Sequence, residues 1–291
     1  MLAVETAADR LRALLAAGRN SDGGWPYYAG RHSRLEPTAW ALLAIGEPGA
    51  VKLFQRWRTS EGLLVEPEIP RVNYAFNALA ALALAAVQPA SNGAGDAASI
   101  AKALLGHRGE RVPEHPAIRQ NPTLQGWSWI DGTFSWVEPT AWCMLAVKKL
   151  VRSTPDAAPR IDEAERVMRD RACVDGGWNY GNPEVYGKNL PAHVPPTAVG
   201  VLALQDRASD GMVQQAVSFL GREATREGST TALALSWLAL SSVKASAEMI
   251  VAPLVARLSI AESMGNLAAV AQMLYVLQQH ERNAPPAAVI L

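Results

Sequence analysis

Two glutamates hold the same place in two copies of one short sequence. Glu36 stands in L-E-P-T-A-W and Glu138 in V-E-P-T-A-W, 102 positions apart, as are Trp25 and Trp127 ahead of them. A carboxyl group set among apolar and aromatic side chains is disfavoured as an anion. Its pKa rises, and it can hold and deliver a proton near neutrality. The matching chemistry is protonation of an alkene or an epoxide. The same glutamates also suit helix capping. Each precedes a proline and an apolar run, where a carboxylate accepts backbone N–H groups and meets the positive end of the helix dipole. Retention in both copies favours capping.

The tryptophans offer a second chemistry. Trp25, Trp127, Trp129, Trp136, Trp142 and Trp178 can line a pocket whose π faces stabilise a cation by about 2 kcal/mol when desolvated. They can equally staple successive units together, the role expected of Trp25 and Trp178. The candidate substrate-lining set is Trp40, Trp127, Trp129, Trp136 and Trp142, with Tyr74 and His193. Asp131, in W-I-D-G-T-F-S-W, is either a turn aspartate before Gly132 or a third candidate acid in an aromatic cup. Asp131 and Trp136 have no duplicate, which makes them the first places to look for function. The loop histidines His32, His115 and His193 lack metal-ligand spacing. No G-x-S-x-G, P-loop or dinucleotide fingerprint occurs. No metal and no cofactor are expected.

These residues need elements to position them. A third copy, D-G-G-W followed by P-P-T-A, begins at Asp175, and its Trp178 lies 153 positions after Trp25. Offsets of 102 and 153 are two and three times 51, which indicates a repeating unit of about fifty residues. Hydrophobic periodicity predicts twelve helices. Odd-numbered ones are amphipathic and charged; even-numbered ones are rich in alanine and leucine and apolar nearly all round, as buried helices are. The expectation is an all-α fold: a closed α/α toroid of six helical hairpins, apolar helices inside and charged helices outside. Residues 1–291 form one domain in this reading, with long loops at 106–137 and 175–195. Loops of that length are more often functional than merely connecting. The polar stretch 91–96 reads as a break, with Asp96 capping the fifth helix. Neither end carries a polar capping unit, which favours closure over an open solenoid.

Composition narrows the function. Lys plus Arg and Asp plus Glu number 27 each, which argues against binding nucleic acid through phosphate contacts. Two cysteines without a C-x-x-C spacing provide neither a disulfide framework nor a zinc finger. Charges interrupt the first apolar stretch, so it reads as neither a signal peptide nor a membrane span. A cytoplasmic protein is expected.

D-G-G-W followed by E-P-T-A and an apolar helix resembles the repeat shared by squalene and oxidosqualene cyclases and protein prenyltransferase β subunits, whose common fold is the closed α/α toroid. The resemblance is specific over residues 22–46, 125–150 and 175–204. It implies an isoprenoid or similar apolar substrate in the central cavity, with cyclisation started by an acid. Where the cyclases carry D-x-D-D-T-A, this chain has R-L-E-P-T-A and W-V-E-P-T-A. Glu36 and Glu138 thus match the family's proton donor without its neighbouring aspartates. The prenyltransferase zinc ligands have no counterparts: Cys143 lies one turn too deep and His193 just before its helix. Two further readings are a non-catalytic toroid that binds lipid or protein, and a carbohydrate-active α/α barrel with paired carboxylates.

Overall fold

Six apolar helices build the centre of the chain. They are α2 (Leu35–Ile45), α4 (Tyr74–Val87), α6 (Val137–Leu150), α8 (Val194–Ala203), α10 (Thr230–Ser242) and α13 (Leu267–Glu281). Each packs on the next, and α13 packs on α2, so the inner helices close a ring. The computed structural model describes residues 4–87 and 90–282. The architecture is all-α, an α/α toroid. Alanine at positions such as Ala39, Ala41, Ala78, Ala81, Ala146 and Ala198, all fully buried, lets the inner helices approach closely.

The amphipathic helices lie outside. They are α1 (Val4–Gly18), α3 (Pro48–Arg56), α5 (Ala90–Gly106), α7 (Ala157–Asp170), α9 (Gly211–Glu227), α11 (Glu248–Ala256) and α12 (Leu258–Met264). Among the described residues there are thirteen helices, not twelve. The eleventh expected helix, about Glu248 to Leu258, is α11, and the extra helix is α12, which occupies the stretch expected to connect it to the last inner helix.

Residues 91–96 are also a correction. They belong to α5 instead of breaking the chain, and Asp96 lies inside that helix. Its carboxylate accepts from Arg58 and, at 3.3 Å, from Gln55, tying α5 to the end of α3.

The G-W loops are held by one set of hydrogen bonds used three times. The Trp25, Trp127 and Trp178 amides donate to the hydroxyls of Thr38, Thr140 and Thr197 at 2.9, 3.0 and 2.9 Å. Each hydroxyl donates back to the carbonyl of the same tryptophan. The indole N–H groups donate to Leu15 O, Leu104 O and Met168 O near the ends of α1, α5 and α7. These tryptophans are fully buried. The preceding glycine is required by packing: a Cβ on Gly126 would lie 2.3 Å from Thr140 Oγ1, and one on Gly177 2.5 Å from Thr197 Oγ1.

A further bond from each loop reaches the neighbouring inner helix. The carbonyl two residues after each staple tryptophan accepts the first N–H of the preceding inner helix. Trp129 O takes Tyr74 N at 3.0 Å, Tyr180 O takes Val137 N at 3.1 Å, and Tyr27 O takes Leu267 N at 2.8 Å. The last of these joins the first loop to the last helix and closes the ring. Helix-start N–H groups lack intrahelical partners, so this bond meets a need that every inner helix has.

The long loops 106–137 and 175–195 lie against each other. Tyr186 N donates to Ala117 O at 2.7 Å. A short antiparallel hairpin, β1 (Glu184–Val185) and β2 (Lys188–Asn189), carries the second loop's tip.

Candidate functional site at the mouth of the ring

Glu36 and Glu138 each stand second in their inner helices, α2 and α6. Neither carboxylate takes a backbone N–H of its own helix start among the described residues, and the N-cap residues Arg34 and Trp136 make no side-chain cap bond. Leu35 N donates instead to the Glu66 carboxylate, and Val137 N to Tyr180 O. Partners from elsewhere in the chain satisfy the donors that the glutamates were expected to take. The capping reading is therefore corrected, and the carboxylates are left for other contacts.

Glu36 accepts a hydrogen bond from the Tyr27 hydroxyl. Its pKa is raised, chiefly by burial and also by Glu66, while the bond from Tyr27 and the charge of Arg34 oppose the rise. Arg34 also pairs with Glu66 at 2.9 Å, and its guanidinium lies 5.7 Å from the Tyr27 ring. Glu138 is half-buried, and no hydrogen bond to it is found among the described residues. Burial first, and then the charge of Glu36, raise its pKa to about 7. Removal from bulk water disfavours the anion, and a second carboxylate within electrostatic reach disfavours it further. Two acids sharing one field titrate as a pair.

Beneath the acids the ring is filled. Trp40 and Trp142, four residues after Glu36 and Glu138, meet edge to face with centroids 6.0 Å apart. Tyr275 of α13 lies 6.5 Å from Trp40. Their exposures are 1, 5 and 2 %, so no solvent-sized space adjoins them. They form a floor, and the accessible part of the site lies above it.

The remaining candidates divide by location. Trp129 is half-buried, and its ring packs edge to face on Phe76 at 5.9 Å. Tyr27 and Tyr180 occupy the equivalent position, two residues past the staple tryptophan. Sequence reasoning passed over both, although that fixed spacing was the signal for them. The Tyr180 hydroxyl has a raised pKa, from burial and then from Glu138. His193, exposed before α8, lies 5.7 Å from the Tyr180 ring. Trp127 is buried with its staple bonds, and the Arg160 guanidinium sits 3.6 Å over its ring, so it has no face toward the mouth. Trp136 stacks on Phe134 at 4.6 Å, within the loop layer.

Asp131 lies at an exposed turn followed by Gly132, whose φ is +73°. It accepts from the Tyr74 hydroxyl at 2.5 Å and lies 3.6 Å from His107 Nδ1. Buried Tyr74 stacks on His107 with centroids 3.4 Å apart, and His107 Nε2 is 2.8 Å from Ser128 Oγ. Serine, histidine and aspartate are the residue types of a nucleophilic triad. Here, however, Ser128 is fully buried and its hydroxyl donates to Ile130 O at 2.7 Å. The cluster is a strut that anchors the tryptophan-rich loop to α4. Burial lowers the His107 pKa to about 4, against the pull of Asp131, which keeps the ring neutral at pH 7.

Among the described residues no group of three His, Cys, Asp or Glu side chains is placed to hold a metal. Cys143 is buried and donates to Tyr74 O at 3.4 Å. No helix among them is long and apolar enough to cross a membrane.

The sequence matches no protein-family model and no curated protein. Solved structures do resemble the fold. A protein from Actinoplanes superposes with a TM-score of 0.61 at 15 % identity, covering 96 % of this chain and all of that one. The type II terpene cyclase MstE from Scytonema, in its apo form, superposes with a TM-score of 0.52 at 19 % identity over 87 % of this chain and 78 % of that one. The fold is therefore terpene-cyclase-like.

Proposed function

We propose that this chain, read as a single toroid domain, binds an isoprenoid or similar apolar molecule at the mouth of its ring, and that Glu138 and Glu36 act on it as a proton-sharing pair. The observation that carries this reading is Glu138: half-buried, without a hydrogen-bond partner among the described residues, and with a pKa raised to about 7. A carboxylic acid that stays partly protonated at neutral pH can donate a proton to a bound molecule. Tyr27 orients Glu36, whose charge sets how readily Glu138 gives up its proton. Aromatic groups at Tyr27, Trp129, Phe76 and Tyr180 supply an apolar surround.

The same pKa narrows the chemistry. A neutral acid of pKa near 7 is a weak donor, poorly matched to a bare alkene. It is better matched to an oxygen that is already strained or polarised. Proton transfer from Glu138 to an epoxide oxygen, with the C–O bond breaking toward that oxygen, leaves a carboxylate on Glu138 and a cationic carbon that π faces stabilise. The aspartates that make the family's donor strongly acidic are absent here, in keeping with a less demanding substrate.

A second reading, a non-catalytic toroid, draws support from the filled floor at Trp40, Trp142 and Tyr275, which leaves little depth for folding a long chain. One experiment separates the two. Purified protein is incubated with an epoxide-bearing isoprenoid and analysed by native mass spectrometry and product extraction. Binding with ring-opened or cyclised product, lost in Glu138→Gln, supports the catalytic reading. Binding without product supports the second, and no binding overturns the first and leaves protein binding as the second's only form.

A further inference from the structure

Solvent contact with the upper parts of α2 and α6 ends at the two glutamates. Every residue from Pro37 to Ala44 and from Pro139 to Val147 is buried, whereas Glu36 and Glu138, one place before each run, are only partly so. The next level down is filled in all six inner helices. The residue five places after the first of each is Trp40, Leu79, Trp142, Val199, Leu235 or Gln272, and every one is buried. Trp40 and Trp142 touch although α4 stands between their helices in the ring, so their contact spans the lumen. It lies one helical turn, about 6 Å, below the acids. The other direction is open. Tyr180, whose hydroxyl feels the charge of Glu138, is 45 % exposed, and His193 beside its ring is exposed as well. A molecule that reaches Glu138 has therefore come to the bottom of the accessible space, and the rest of it points outward toward the loops and water.

Resting on the reading of Glu138 as a proton donor, we infer that this site hydrates an epoxide at the end of an apolar chain to a vicinal diol instead of cyclising the chain. Cyclisation needs an alkene of the same chain folded over the cationic carbon, with water kept away from it. The filled level below the acids leaves no room for that fold, and the exposed side at Tyr180 and His193 admits water. The chain end is selected because only an end can enter so shallow a site. In the step itself Glu138 gives its proton to the epoxide oxygen. The C–O bond at the more substituted carbon breaks, and its electron pair stays on that oxygen. A water oxygen bonds to the carbon left cationic, and the proton that this water sheds returns to the Glu138 carboxylate. The sum is epoxide plus water giving diol, and the acid ends as it began.

The test incubates the full chain with farnesol bearing an epoxide at its hydrocarbon end, in water labelled with oxygen-18, and analyses the products by mass spectrometry against a protein-free control. The expected product is the diol with the label on its tertiary carbon, the carbon that an acid-opened epoxide leaves cationic. Glu138→Gln is expected to lower its formation at least about a hundredfold, the usual contribution of a positioned acid. Should that variant fail to fold, the product of the parent chain still decides. A cyclised product overturns hydration and leaves the acid reading of Glu138 standing. Label on the secondary carbon overturns hydration through a cation. Binding without any product above the control overturns the catalytic reading as well, and so does diol formation that Glu138→Gln leaves undiminished.

Discussion

The indoles of Trp40 and Trp142 meet edge to face, 6.0 Å between centroids, beneath the two glutamates that precede them by one helical turn. Duplicated residues thus contact one another inside the ring. Each buries the other, and together with Tyr275 they close the barrel below the mouth. Trp142→Ala is expected to cost about 3–5 kcal/mol, the usual loss for a large buried aromatic. It is also expected to open an apolar cavity under the acids. Chemical denaturation measures the first effect. Xenon or benzene binding, absent in the parent and present in the variant, measures the second.

Glu138 makes stability depend on pH with a definite sign. Its pKa is about 7 in the folded chain, against an ordinary value of 4.5. Between these values the folded chain binds more protons than the unfolded one, so stability falls as pH rises through that window and levels off above it. The full effect is at most about 3 kcal/mol. Glu138→Gln is expected to remove this slope and to raise Tm above pH 7. A helix cap would behave in the opposite way, losing stability on the same substitution. Tm measured from pH 4.5 to 8.5 in both proteins distinguishes them.

Tyr27→Phe tests the coupling between the two acids. The Tyr27 hydroxyl favours ionised Glu36, so its loss is expected to raise the Glu36 pKa. With Glu36 less often charged, Glu138 is expected to titrate at a lower pH, because Glu36 is one of the two causes of its rise. Carboxyl-carbon NMR titration should show the two resonances moving in opposite directions. Movement of only one would mean that the acids do not share a field.

The threonine staple predicts equal effects at three distant places. Thr140→Val leaves the buried Trp127 amide without its acceptor and is expected to cost roughly 1–3 kcal/mol, while Thr140→Ser is nearly neutral. Thr38→Val and Thr197→Val should match it, since their bonds to Trp25 and Trp178 differ by only 0.1 Å from that of Thr140. Urea denaturation of the three variants provides the comparison. A large effect at one site alone would mean that the shared geometry does not carry shared energy.

The repeat made much of this molecule legible before any coordinates. The spacing of Trp25, Trp127 and Trp178, the apolar even helices and the small residues on them led to the ring, because they are local patterns with a local cause. A helix apolar on every side has to be surrounded, and a ring surrounds it. Even the fixed step from each staple tryptophan to Tyr27, Trp129 and Tyr180 is visible in the text. What the glutamates do was not. Glu36 and Glu138 look alike in sequence, and capping was the economical reading of both. Tertiary structure decided otherwise, because Glu66 and the Tyr180 carbonyl, each more than thirty residues away, take the helix-start N–H groups first. It also decided that Trp40 and Trp142 fill the ring, that Asp131 braces Tyr74 at an exposed turn, and that the two long loops lie against each other. Each of these outcomes depends on which distant groups meet. Hydrogen bonding and desolvation are set by those meetings, whereas the periodicity that folds the ring is written along the chain itself.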